Sequence, residues 1–108
     1  MMDSMLPLSI AAGAVKFDES APGWALLEPL EEASNIRACT GRVDFERGFV
    51  APPVVQIGIT GFDIHNGDNA RLQVGLLSVD NQGFTVELRT WWNSRLWSVN
   101  LNWIAIGH

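Results

Sequence analysis

A single cysteine, Cys39, excludes an intrachain disulfide, so a domain built from these 108 residues must stand on packing alone. The thiol reads as a small buried side chain. A nucleophilic role would need a neighbouring base, and His65 and His108 are the only histidines on offer. Basic residues are scarce too: seven Lys and Arg stand against twelve Asp and Glu, for a net charge of −5. No run of Lys or Arg exists to neutralise phosphates, which argues against a nucleic-acid partner. The acids cluster before Arg47, as in a solvated acidic face. Long apolar runs are missing as well, since none approaches the roughly 20 residues needed to cross a bilayer. Residues 6–14 are apolar and end in Ala12-Gly13-Ala14, which mimics a signal-peptidase site, but Asp3 precedes them and no Lys or Arg does. The expectation is a soluble chain without a signal peptide and without membrane insertion, made in the cytoplasm; its site of action, cell surface and exterior included, is left open.

What is present is hydrophobic content of 47%, enough for one domain over residues 1–108, with 1–12 as a lead-in. The stretch 84–106 holds four of the five tryptophans: Trp91, Trp92, Trp97 and Trp103. Phe84, Val86 and Leu88 alternate with polar residues, and so do Val99, Leu101, Trp103 and Ala105; each set predicts the inner face of a strand. The two segments read as one hairpin, the central pair of an antiparallel sheet. Trp91 and Trp92 are adjacent, and neighbours on a strand point to opposite faces, so at most one can serve the core. Trp92 is expected to be the more exposed.

Elsewhere, Val15 and Phe17 mark an inward face, residues 18–23 a turn, and 24–27 a short apolar run. Residues 28–40 show no clean period and read as a loop. Val43 and Phe45 alternate with polar residues, Pro52-Pro53 marks a strand entry, and Val55, Ile57 and Ile59 share a face. Residues 61–69 read as a polar loop. Leu72, Val74 and Leu76 then point inward with Arg71 outward, and residues 80–83 close a turn onto Phe84. Short strands at these intervals, with no internal repeat, predict an all-β fold, a six-stranded antiparallel β-sandwich.

The ordered set Gly23-Trp24-Ala25, Val43, Phe45, Phe49, Pro52-Pro53-Val54-Val55, Ile59-Thr60, Asp63, Arg71, Ser78-Val79, Gly83-Phe84, Thr90-Trp91, Asn93 and Trp103-Ile104 resembles the H-type lectins. Snail agglutinins and the C-terminal domain of discoidins belong to that family. The likeness runs over about 95 residues, and the spacing from Pro52 to Trp103 carries most of it. The resemblance implies a β-sandwich, a homotrimer and a carbohydrate-binding role in cell adhesion, with glycans ending in N-acetylgalactosamine or galactose as partners and no cofactor.

Carried over residue by residue, the family's sugar-binding arginine falls on Arg71, whose guanidinium can donate in a fixed fork to vicinal hydroxyls. The tryptophan of the Thr-Trp pair falls on Trp91. The next aromatic position, commonly histidine in animal members, is Trp92; such rings stack on the C–H face of a pyranose. Trp97 matches an aromatic that reaches the site from the adjacent subunit, although its phase also allows a place at the core's rim. One match fails: the family's aspartate falls on Ser34 or Asn35, with Glu31 and Glu32 as possible substitutes. The disulfide positions of animal members fall on Phe17 and Leu88, an apolar pair in place of a bridge.

Asp63, His65, Asn66, Asp68 and Asn69 make an oxygen-rich loop, but it lacks the bidentate glutamate of a standard calcium loop, so an Asx-rich turn is expected and no metal. Two function classes follow: a multivalent sugar-binding module, or a trimeric assembly module whose exposed tryptophans lie between subunits. A glycoside hydrolase is disfavoured, because no acid but Glu87 is near Trp91 and Trp92 in sequence and cleavage wants two carboxylates.

Overall fold

Period-two burial organises the chain into strands. In the computed structural model, which describes residues 7–27, 36–65, 67 and 69–108, six strands follow in order. They are β1 (Ser9–Asp18), β2 (Ile36–Asp44), β3 (Val54–Ile64), β4 (Gln73–Val79), β5 (Gly83–Trp91) and β6 (Leu96–Gly107). They form two three-stranded antiparallel sheets, β1-β6-β3 and β2-β5-β4, whose inner faces make the core of the expected β-sandwich. Phe84, Val86 and Leu88 on β5 and Val99, Leu101 and Ala105 on β6 are almost wholly buried, as their alternation predicts. Phe45, Phe84 and Trp103 add a cluster of tilted and edge-on rings, 5.5–5.9 Å between centroids.

Several sequence expectations are corrected. β5 and β6 do not pair with each other; each is the central strand of its own sheet, so the turn between them passes from one layer to the other. Alternation fixes which face of a strand is apolar but is silent on its partner. Residues 36–40, read as loop, are strand. Their hydropathy is inverted, with Ile36 outward at 66% exposure and Arg37 inward at 8%. Residues 9–12, read as lead-in, lie in β1, and 61–64, read as loop, lie in β3 beyond a register shift between Ile59 and Gly61. A shift in β4 between Leu76 and Ser78 turns Leu76 and Leu77 partly to solvent, so Leu76 is not the core residue its phase suggests.

Of the pair that stands at the animal disulfide positions, Leu88 is buried in the core and Phe17 is half-buried against it. The Phe17 ring lies against Gly41, where an added Cβ would come within 2.3 Å of its Cε1. Cys39 is half-buried beside them. Burial pushes its thiol pKa up, partly offset by a hydrogen bond with the Ala25 backbone, which is the wrong direction for a nucleophile.

The β4–β5 turn is held by Asp80, whose carboxylate takes a hydrogen bond from Arg42 Nη2 at 3.1 Å and from the amides of Gln82 and Gly83 at 2.8 and 3.0 Å. These contacts, the arginine first, lower the Asp80 pKa below the usual carboxylate range. A lowered folded-state pKa gives stability that is present above the unfolded value near 3.9 and lost as pH falls through the folded one. Asp80→Asn is therefore expected to reduce stability at neutral pH and to flatten the acid limb below about pH 4, read by denaturant titration across pH. Gly41→Ala should cost about 1–3 kcal/mol by overpacking. Gly75→Ala, with nothing within 4 Å of the added carbon, should stay within about 0.5 kcal/mol. Leu88→Ala should cost about 2–5 kcal/mol. Equal effects of the two glycine changes in thermal melts would refute the close packing of Phe17 on Gly41.

Candidate functional site

The ends of β1, β3 and β5 and the starts of β2, β4 and β6 lie at one end of the sandwich, where the described residues 19–27, 69–72 and 92–95 follow or precede them. Its centre is the β5–β6 turn. The amide of Ser94 donates to Trp91 O at 3.4 Å, and Trp92, first of the two central residues, has φ of 60°. A positive φ at that position alone is the pattern of a II′ turn, a place where glycine is ordinarily found.

Buried polar groups lock this turn to its surroundings. Arg37, reaching in from β2, donates through Nη2 to Trp92 O at 2.9 Å and Ser94 O at 2.6 Å, and through Nη1 to Leu26 O at 3.4 Å. Leu26 is fully buried and its carbonyl also accepts from Leu96 N, while Trp24 Nε1 donates to Leu96 O at 3.0 Å. The apolar run at 24–27 is thus the underside of the turn. Thr90 and Ser94, both fully buried, tie in the β3–β4 connection. The Thr90 hydroxyl donates to Arg71 O, the Ser94 hydroxyl donates to Asn69 O, and Arg71 N donates to Ser94 Oγ at 3.1 Å. His65 N donates to Arg95 O at 2.8 Å, and the two side chains meet at 3.1 Å.

Arg71 is the result of this scaffolding. Its backbone is held on both sides, its Nη1 donates to Asn93 Oδ1 at 2.8 Å, and its guanidinium carbon lies 5.9 Å from the centre of the Trp92 ring. Nε and Nη2 make no hydrogen bond to a described residue, so the fork keeps donors for a ligand. Trp92 is 45% exposed. Trp91 lies on the outer face of β2-β5-β4 and is half-covered, so neither ring enters the core. Trp97 is 41% exposed and lies on the other sheet, beside the end of β1, with no contact to Arg71, Trp91 or Trp92 among the described residues. Ser34 and Asn35, with Glu31 and Glu32, lie outside the described residues, as do Asn66 and Asp68 of the oxygen-rich loop. Among the described residues no three His, Cys, Asp or Glu side chains converge on a metal site.

The structure therefore brings Arg71, Trp92 and Asn93 together, leaves Trp91 adjacent on the sheet face, and leaves Trp97 apart. Arg37, which holds the turn, escaped the sequence reading. The one available signal was an arginine in strand phase with Cys39, Gly41 and Val43. Arg37→Met removes the side-chain donor of Trp92 O and Ser94 O and the second donor of Leu26 O, a loss expected to cost about 3 kcal/mol and to redden the tryptophan emission as the turn loosens. Arg37→Lys should recover only part of this, because an ammonium lacks the planar fork that reaches several acceptors at once. Full recovery by lysine, read by denaturant titration and fluorescence, would assign Arg37 a simple charge role.

Comparison with known proteins gives the family and the fold. The family model for the H-type lectin domain matches residues 40–106. A protein described as ATP synthase subunits region ORF 7 from Fuscovulum blasticum is 32% identical over 65 residues, 60% of this chain and 56% of that one. Two structures of discoidin II from Dictyostelium discoideum superpose with TM-scores of 0.73, at 22% and 21% identity over 99% and 98% of this chain; they share its fold. The chain spans 39% of the length of discoidin II and 56% of that of the Fuscovulum blasticum relative. No helix among the described residues is long and apolar enough to cross a membrane. With the family model covering residues 40–106, from within β2 to the end of β6, this chain belongs to the H-type lectin family.

Proposed function

We propose that this chain is a carbohydrate-binding module for galactose-type sugars, N-acetylgalactosamine included, acting as a homotrimer and not as an enzyme. The observation that carries the reading is Arg71. A guanidinium fixed by Asn93 and by the Trp92 ring, with Nε and Nη2 unengaged among the described residues, offers directed donors to vicinal hydroxyls beside an aromatic surface. Family membership supports the sugar class. Ser34 or Asn35 stands where the family has an aspartate, and a neutral group gives up charge-assisted hydrogen bonds worth about 1.5–3 kcal/mol each. Affinity per site is therefore expected to be weak and hydroxyl-epimer selectivity blunted, with Trp92 contributing stacking. Cleavage chemistry has no support here, since Glu87 is ion-paired with Arg89 at 2.8 Å on the sheet's outer face.

Trimerisation would place three such sites on one particle and raise avidity. Support comes from the outer face of β1-β6-β3, where Val54, Ile106 and Ile10 lie in one cross-strand row at 69%, 39% and 65% exposure, with Ile104 beside them. The same row favours the second reading, an assembly module without a sugar ligand, with Trp97 covered by a neighbouring subunit.

Titration calorimetry with galactose, N-acetylgalactosamine and glucose separates the two. The parent should bind the galactose-type sugars, and Arg71→Ala should weaken them by at least tenfold, about 1.4 kcal/mol. Trp92→Ala should weaken all three sugars without restoring discrimination. Light scattering should give three times 11.9 kDa. A trimer that binds no sugar would leave the assembly role standing, whereas an Arg71→Ala variant as tight as the parent would move the site elsewhere.

A further inference from the structure

The outer face of β2-β5-β4 carries a feature that neither folding nor the Arg71 site accounts for. Beside the β5–β6 turn, Ile36, Gln73, Arg89, Trp91 and Trp92 line an open groove of about 400 Å³, within the size range of small-ligand sites. The strand register sets them in two cross-strand rows, Ile36 opposite Trp91 and Arg89 opposite Gln73. Ile36 is 66% exposed, although the inverted hydropathy at Ile36 and Arg37 buys no core packing at this position. Arg89 gives only Nη2 to Glu87, and its Nη1 makes no hydrogen bond to a described residue. The groove thus pairs an apolar wall and an indole with a free donor and a side-chain amide.

That combination matches a hexose, which has a C–H face and a rim of hydroxyls, better than it matches a purely apolar partner. Trp92 is common to the groove and to the Arg71 site, so the two are continuous. Resting on the sugar-binding reading above, we infer that this groove is a second saccharide subsite. It receives the residue glycosidically linked to the galactose-type sugar held at Arg71. Ile36 and Trp91 take its C–H face, and Arg89 Nη1 and the Gln73 amide take its hydroxyls. The preferred ligand is then a disaccharide or longer glycan, not a monosaccharide.

The test compares methyl galactoside with disaccharides bearing non-reducing galactose in β1,3 and β1,4 linkage, by calorimetry on the intact chain. At least one disaccharide should bind the parent about three- to tenfold tighter than methyl galactoside, the range expected for one added stacking contact. Arg89→Met and Ile36→Ala should each bring that advantage below about twofold while methyl galactoside binding is unchanged. Ile36 is mostly solvent-exposed, so its variant should fold even if the arginine variant does not. Equal affinity for mono- and disaccharides in the parent would overturn the subsite, as would a disaccharide advantage that survives both substitutions. A parallel loss of methyl galactoside binding would assign the groove to the primary site and overturn it too. Failure of the parent to bind any galactoside is a different result, because it removes the sugar reading itself and the subsite with it. Variants that change mass in light scattering, with sugar affinities intact, would make the groove a contact between copies and refute a saccharide occupant.

Discussion

The buried guanidinium of Arg37 is the contact on which the Arg71 and Trp92 end of this sandwich depends. A chain that leaves one sheet and enters the other must break its ladder, and the carbonyls exposed by the break still need donors wherever they are buried. Trp92 O, Ser94 O and Leu26 O meet that need at one side chain. A buried charge is costly unless its hydrogen-bonding capacity is used, and an arginine with three carbonyl acceptors uses it in a planar geometry that a lysine cannot copy. The same residue joins β2, the underside at Leu26 and the β5–β6 turn, so three segments distant in sequence are fixed with respect to one another.

From that anchor the order of dependence runs outward. Thr90 and Ser94 are small hydroxyl residues at inward positions where alternation alone would call for aliphatic ones. Both are fully buried, and each reaches the backbone of residues 69–71. Hydroxyls that donate to or accept from a connecting segment convert a loop into a shelf, and Arg71 stands on it. The donors that face solvent are therefore carried by a stiff element, which limits the ordering cost that binding would otherwise meet.

Much of the sandwich was legible because strand alternation is a local property. Phe84, Val86 and Leu88, and Val99, Leu101 and Ala105, point inward as their period requires. Pairing is non-local, and so β5 and β6 read as a hairpin when they are the centres of opposite sheets. β2 was half hidden because Arg37 and Gly41 occupy inward positions and Ile36 an outward one, so hydropathy runs against the fold. The extra residue at the register shift in β4 likewise displaces Leu76 and Leu77 from the faces their sequence phase assigns. Arg71 and the Thr90-Trp91-Trp92-Asn93 segment were found through family likeness; spacing alone would have left Arg71 an ordinary outward arginine. What neither route supplied was the carbonyl chemistry of the turn, since hydrogen bonds to backbone leave no periodic trace.

Trp92 shows how these levels meet. A bulky side chain at φ of 60° is strained by about 1–3 kcal/mol, and glycine would remove that cost. The surroundings hold the conformation regardless, with Arg37 on its carbonyl and the Trp91 to Ser94 hydrogen bond closing the turn. No core packing compensates, because the ring is 45% exposed and meets the solvent-facing guanidinium of Arg71 instead of the apolar interior. Strain that yields neither burial nor ladder hydrogen bonds is retained where a side chain is needed at a fixed point on the surface. The positive φ ends the strand at Trp91, so the Trp92 ring does not take the inward place that continued alternation would give it; it meets Arg71 and lines, together with Trp91, the groove beside the turn.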